Sequence, residues 1–184
     1  NGIPFFTDAA NNSMYTHDVS ATDSTAANNT AYGFTALDAI TTGDLNTAIG
    51  YGAGGAINSG GSNTILGAYA GDAIDGGSDN VAVGYQALSA EDAHGRNVAI
   101  GAQALQNQNA GANAFNVAVG FQSGLNVTTS INNTLIGALA GDALTTGSNN
   151  TALGYAALGG DIAGDANVAV GFGAMSSTDN ARAN

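Results

Sequence analysis

Residues 46–79 read NTAIGYGAGGAINSGGS and then NTILGAYAGDAIDGGSD, two stretches of 17 residues that align without a gap. In each, an Asn is followed by Thr, two apolar residues and a Gly, and the second half is rich in Gly, Ser, Asn and Asp. The pattern begins nine times, at Asn29, Asn46, Asn63, Asn80, Asn97, Asn116, Asn133, Asn150 and Asn167. Every step is 17 residues except the one from Asn97 to Asn116, which is 19. Self-similarity at a fixed period marks a stacked repeat architecture, so the fold is read from the columns of the repeat.

Take each Asn as offset zero. Offset four is Gly in all nine repeats: Gly33, Gly50, Gly67, Gly84, Gly101, Gly120, Gly137, Gly154 and Gly171. Offset one is Thr or Val, and offset three is aliphatic except for Tyr32. A short apolar run rich in β-branched residues predicts a strand over offsets one to five. Offsets nine to sixteen hold Asp, Asn, Gly, Ser and Thr, which predicts turn. Of the 14 acidic residues, three (Asp8, Asp18, Asp23) precede the repeats, and the other eleven all fall at offsets nine to sixteen. Each repeat thus divides into a dry half and a wet half.

No helical periodicity of 3.6 residues is present. The expectation is an all-β fold, a parallel β-solenoid of nine 17-residue coils over 29–184, preceded by an irregular N-terminal segment over 1–28. With parallel strands ~4.8 Å apart, nine coils span ~43 Å. The Asn column has two readings, a ladder of side chains satisfying one another along the stack or a residue tolerant of left-handed turns.

Two further regularities support stacking. Where offset eight is Gly (Gly54, Gly71, Gly124, Gly141), offset eleven is aliphatic (Ile57, Ile74, Val127, Leu144). Where offset eight is Leu or Met, offset eleven is polar, as at Glu91, Gln108, Asp161 and Thr178; the first coil, with Leu37 and Ile40, departs from the rule. One pocket per coil, filled from either position, explains this, since double filling would overpack it and no filling would leave a cavity. Residues 63–79 and 133–149 (NTLIGALAGDALTTGSN) are related at a distance of 70 residues, which points to duplication of a four-coil block.

Alternation along the strand sends offsets one, three and five to one face and two and four to the other. The first face is large and often aromatic, the second mostly Ala and Gly. Both are apolar, so the strands read as covered on both sides. A thin solenoid covers only one, so assembly is expected. Residue 184 falls where a tenth coil would begin and no polar capping repeat follows, so further chain or another subunit is expected to stack there. Asn at position 1 fits a processed product or a fragment, and residues 1–28 are expected to cap the first coil or reach into a neighbour.

Composition narrows the function. The net charge is −12, with no Lys and only Arg96 and Arg182, so nucleic acid and anionic membrane surfaces are excluded as partners. No apolar run is long enough for membrane insertion as a helix. Cysteine is absent, which is compatible with an extracellular setting.

The repeats NTAIGYGAG (46–54), NVAVGYQAL (80–88), NVAIGAQAL (97–105) and NTALGYAAL (150–158) resemble the 17-residue Asn-Thr-Ala-x-Gly-Tyr-x-Ala-Leu repeats of phage tail-fibre-like and bacterial surface fibre proteins. More distantly they resemble the β-roll heads of trimeric autotransporter adhesins, whose coils are shorter. The resemblance covers about 29–184 and implies a trimeric or filamentous extracellular fibre. It carries over no catalytic residue.

Material for catalysis is thin. His17 and His94 are the only histidines, and His94 is expected to be a solvated turn residue. No catalytic, cofactor-binding or metal residue is assigned. Asp72, Asp75 and Asp79 in one turn and Asp161 and Asp165 in another would suit calcium by ligand type, but no repeated calcium loop is present, and solvated charge is the expectation. Glycosylation sequons stand at Asn11, Asn28, Asn126, Asn132 and Asn149. The expected function is a structural component of an extracellular, cell-surface or virion fibre, not an enzyme. It would assemble with itself as a homotrimer or head-to-tail filament through apolar strand faces and solenoid ends, with a surface glycan or host-cell target as a further partner. The alternative is an ice- or surface-binding solenoid using the Thr column at offset one, which Val breaks at 81, 98, 117 and 168.

Overall fold

A three-residue stretch that begins with Thr or Val and is followed by an invariant Gly can hold an extended strand only as far as the Gly. The structure, a computed structural model, describes residues 6–8, 13–15, 25–91, 93–160 and 163–177. It is a parallel β-solenoid. One sheet runs through all coils in chain order, built from β1 (Phe6–Asp8), β2 (Ser13–Tyr15), β3 (Thr30–Tyr32), β4 (Thr47–Ile49), β5 (Thr64–Leu66), β6 (Val81–Val83), β7 (Val98–Ile100), β8 (Val117–Val119), β9 (Thr134–Ile136), β10 (Thr151–Leu153) and β11 (Val168–Val170). Strands β2 to β11 pair in parallel, each with the next. Equivalent offsets face each other throughout, so Val98 pairs with Val117 despite the two extra residues between them.

The repeat strands cover offsets one to three, not one to five. The reason is the glycine at offset four, whose φ lies between +121° and +145° in all nine coils. There the backbones of successive coils come so close that no side chain fits. A Cβ at Gly84 would lie 2.6 Å from the carbonyl carbon and oxygen of Gly101. Beyond the glycine, left-handed φ recurs at offsets six, eight and sixteen, largely on residues that carry side chains, such as Gln86, Leu88 and Arg96. Each such residue costs roughly 1 kcal/mol, so the coil is a shape that only the stack can hold.

The asparagines form the ladder. Asn46 N–H donates to Asn29 Oδ1 at 2.8 Å, Asn63 N–H to Asn46 Oδ1 at 3.0 Å, and so on to Asn167 N–H on Asn150 Oδ1 at 2.9 Å. Most of these side chains also donate Nδ2–H to the carbonyl at offset fourteen of their own coil, as Asn46 does to Gly60 O at 2.9 Å. The left-handed residue of this turn is the one before the Asn (Leu45, Ser62, Asp79), which removes the alternative reading of the column.

The core is narrow and is lined by small residues. Offset two is buried in every coil, mostly as Ala, and so is offset seven in all but the last coil, where Ala174 is partly buried. The large buried side chains come from offset eight (Leu37, Leu88, Leu105, Leu158) and offset eleven (Ile40, Ile57, Ile74, Val127, Leu144). The shared pocket is real: a Cβ at Gly54 would lie 2.8 Å from Ile57 Cδ1, and one at Gly71 would lie 2.9 Å from Ile74 Cδ1. A third contributor escaped the column reading. Ile65 and Leu135, the large residues at offset two, reach the space left by Gly71 and Gly141. The described residues of the N-terminal segment extend the sheet at the first coil: β1 and β2 form an antiparallel pair, and Met14 pairs with Thr30.

Gly84→Ala should therefore cost at least about 3 kcal/mol, from positive φ and backbone collision together. Gly111→Ala should cost about 1 kcal/mol, because its φ is +67° but nothing lies within 4 Å of the added methyl. Urea unfolding of the two variants measures the difference.

Candidate functional site: an outward apolar strand face

The small face of the sheet is inside, so the large one is outside. Offsets one and three point away from the core in every repeat strand, while offset two is buried between them. The aliphatic column at offset three is exposed, with Ile49, Leu66, Ile100, Ile136 and Leu153 all open to solvent. Past the glycine the large side chains at offset five are exposed as well, with Phe34 69% exposed and Tyr51, Tyr85, Phe121 and Tyr155 about half exposed. The strands are thus covered on one side only. The inward columns at offsets two, seven, eight and eleven already fill the narrow core, so the large residues at offsets one, three and five stay outside.

Neighbouring aromatics touch along the rod. Phe34 stacks on Tyr51 at 5.9 Å between ring centroids, Tyr155 stacks on Phe172 at 5.3 Å, and Tyr51 meets Tyr69 edge-on at 5.2 Å. Beside them Gln122 Nε2–H donates to Gln103 Oε1 at 2.9 Å. Offsets one, three, five and six contain no Asp, Glu, Lys, Arg or His in any of the nine coils. The face is bordered at offset sixteen by Asp79 and Arg96, 3.6 Å apart, with the Arg96 guanidinium 5.6 Å from the Phe115 ring.

The turn half is less wet than the distribution of charge suggests. Glu91 and Gln108 are fully buried, because they occupy offset eleven, the column that carries Ile or Leu in other coils. Gln108 Oε1 accepts from Asn116 Nδ2–H at 2.6 Å, and its Nε2–H donates to Thr128 O at 3.2 Å. Glu91 Oε1 accepts from the His94 backbone N–H at 3.3 Å and lies 3.9 Å from His94 Nδ1. His94 is therefore a half-buried neighbour of a buried carboxylate, not a freely solvated turn residue. Column position carried the signal for Glu91 and Gln108, and residue polarity concealed it. Asp72 and Asp142, equivalent residues of the duplicated block, are part-buried at offset nine, and burial pushes both carboxyls above the usual range against opposing backbone hydrogen bonds.

Among the described residues no three of His, Asp and Glu come together at metal-binding spacing. Asn28, Asn126, Asn132 and Asn149 are exposed, and all but Asn126 sit at offset sixteen beside the Thr column. Asn132 Nδ2–H donates to Asn149 Oδ1 at 3.3 Å, and Asn126 Nδ2–H to Asp142 O at 2.8 Å. Asn11, His17, Asp161 and Thr178 lie outside the described residues. Comparison of the chain with protein-family models, with curated proteins and with solved structures found no match.

Two outcomes follow. Ile100→Lys should leave the circular dichroism spectrum intact and shift stability by less than about 1 kcal/mol, whereas Ala99→Lys, one residue away but inward, should abolish folding. Asp72 and Asp142 have native pKa values above their unfolded ones, so their contribution is fully present below pH ~4 and is lost as pH rises through the raised native values. The double variant Asp72→Asn/Asp142→Asn should be the more stable protein at pH 7 and lose that advantage near pH 4; thermal melts across this range test it.

Proposed function

We propose that the chain is a structural component of an extracellular, cell-surface or virion fibre, that it is not an enzyme, and that it assembles through its outward strand face. One observation carries the reading: an uncharged aliphatic and aromatic face runs along the whole solenoid and remains exposed in the single chain. Continuous apolar patches beyond a few hundred Å² are rare on solitary soluble proteins and mark contact surfaces. The rest of each coil is spent on backbone-to-backbone bonding between rungs, which builds length and stiffness, and offsets one to six carry no Asp, Glu, Lys, Arg or His in any coil. The likeness of the repeats to those of phage and bacterial surface fibres supports the same conclusion.

The outward Thr30, Thr47 and Thr64 favour a second reading, adhesion to ice or another ordered surface. The valines that interrupt the column weigh against it, and a solution showing no thermal hysteresis would remove it.

Sedimentation and electron imaging of the purified chain test the fibre reading. Oligomers or filaments are expected, and the double variant Ile100→Lys/Val119→Lys should return them to monomers without loss of β structure. A wild-type chain that stays monomeric at its highest soluble concentration overturns the proposal.

A further inference from the structure

The stack is not equally tight along its length. In six coils the Asn side chain clasps its own turn, donating Nδ2–H to the carbonyl at offset fourteen at 2.8–3.1 Å. Asn80 reaches its partner, His94 O, only at 3.4 Å. Asn97 turns instead to the coil before it, where Gly95 O lies at 3.5 Å. A second bond changes at the same place. In seven coils the residue before the next Asn donates its N–H to the preceding coil at 2.7–3.0 Å, as Ser62 does to Asp44 O and Asn132 to Ala114 O. In the coil 97–115 the donor is Ala114, one residue early, and its bond to Gly95 O is 3.2 Å long. These three loosened bonds gather at one seam, between coils 80–96 and 97–115, and all lie on the turn side. On the strand side the seam is closed. Strands β6 and β7 keep their full register, Val81 N–H donates to Asn97 O at 2.8 Å, and Gly101 N–H to Val83 O at 2.7 Å.

We propose that this seam is a hinge: the turn halves of the two coils part while β6 and β7 stay paired, and the segments 29–96 and 97–177 tilt toward the strand face. Two features of the sequence make the opening local. The two extra residues of coil 97–115 displace the carbonyl that Asn97 would otherwise clasp. At offset eleven, the seam is lined by Glu91, fully buried in a column that holds Ile40, Ile57, Ile74, Val127 and Leu144 elsewhere. Parting the coils at an aliphatic rung would carry apolar surface into water. At Glu91 the same movement returns a buried carboxylate to water, which is favourable. Its hold in the closed state is slight, a 3.3 Å bond from the His94 backbone N–H. The next rung marks where the opening stops. Gln108 also stands at offset eleven, but its Oε1 accepts from Asn116 Nδ2–H at 2.6 Å and its Nε2–H donates to Thr128 O at 3.2 Å. Coil 97–115 is thereby tied to the coil after it and moves with the later segment.

Amide exchange read at single residues tests the hinge. Leu88 N–H and Ala114 N–H cross the seam on the turn side, to Ala104 O and Gly95 O. Their counterparts one coil later, Leu105 N–H and Asn132 N–H, bond to Ser123 O and Ala114 O. After correction for intrinsic rates, Leu88 and Ala114 should exchange about tenfold or more faster than these counterparts. Val81 and Gly101, on the strand side of the seam, should exchange no faster than Val117 and Gly120. The variant Glu91→Leu refills the column and should slow Leu88 and Ala114 to the level of their counterparts. Equal protection across the two seams in the wild type overturns the hinge, and so does a folded Glu91→Leu protein with unchanged exchange. Fast exchange at Val81 and Gly101 overturns it as well, since the whole coil then unfolds. Should Glu91→Leu not fold, the wild-type comparison decides alone. None of these outcomes depends on assembly, so a monomeric wild type overturns the fibre reading and leaves this one standing.

Discussion

Everything in this molecule depends on backbone meeting backbone at the glycine of offset four. Successive coils approach there at a distance that admits no Cβ, and all nine glycines take a φ that L-residues avoid. That contact fixes the pitch. With the pitch fixed, each strand meets its neighbour in exact register, and each Asn side chain finds the amide of the next Asn. The ladder in turn satisfies buried polar groups that would otherwise cost free energy in a dry interior. The hydrophobic core follows from this geometry and is correspondingly thin, mostly methyl groups of Ala with one or two larger side chains per coil.

Much of this was legible in the sequence because repetition converts a chain into columns, and a column states its constraint nine times. The coil length, the glycine stack, the shared pocket at Gly54 and Ile57 and the parallel sheet could all be read that way. Three features could not. The orientation of the sheet was ambiguous because both faces are apolar, and the large strand residues stay outside because the core is already filled by the Ala columns and by the larger side chains at offsets eight and eleven. The strand length was overestimated because Gly84 and its equivalents sit among residues of high β-propensity yet end the extended backbone. Glu91 and Gln108 looked solvated by type, but the coil places offset eleven inside whatever residue stands there.

An inverted solenoid of this kind separates two tasks that most domains combine. Stability comes from hydrogen bonds between rungs and from the inward small residues. The outward face contributes little to the fold of one chain, so its aliphatic and aromatic columns are free to serve contact. The same division leaves both halves of the surface with distinct chemistry: an uncharged strand face, and a turn side carrying the carboxylates of Asp38, Asp44, Asp75 and Asp165. Repulsion among those acids on neighbouring rods would oppose aggregation through the turn side while leaving the strand face unaffected.

The two extra residues between Asn97 and Asn116 emerge near Gly111, on the turn side, where nothing crowds them, and the strands on either side stay in register. Irregularity is thus absorbed at the back, whereas length is quantised at the front. In genetic terms, an in-frame gain of 17 codons lengthens the rod by one rung, ~4.8 Å, with its cross-section unchanged, and copying a four-coil block adds ~19 Å in one event. Unequal recombination between such similar stretches would act as a ruler, letting lineages adjust reach without re-evolving a core.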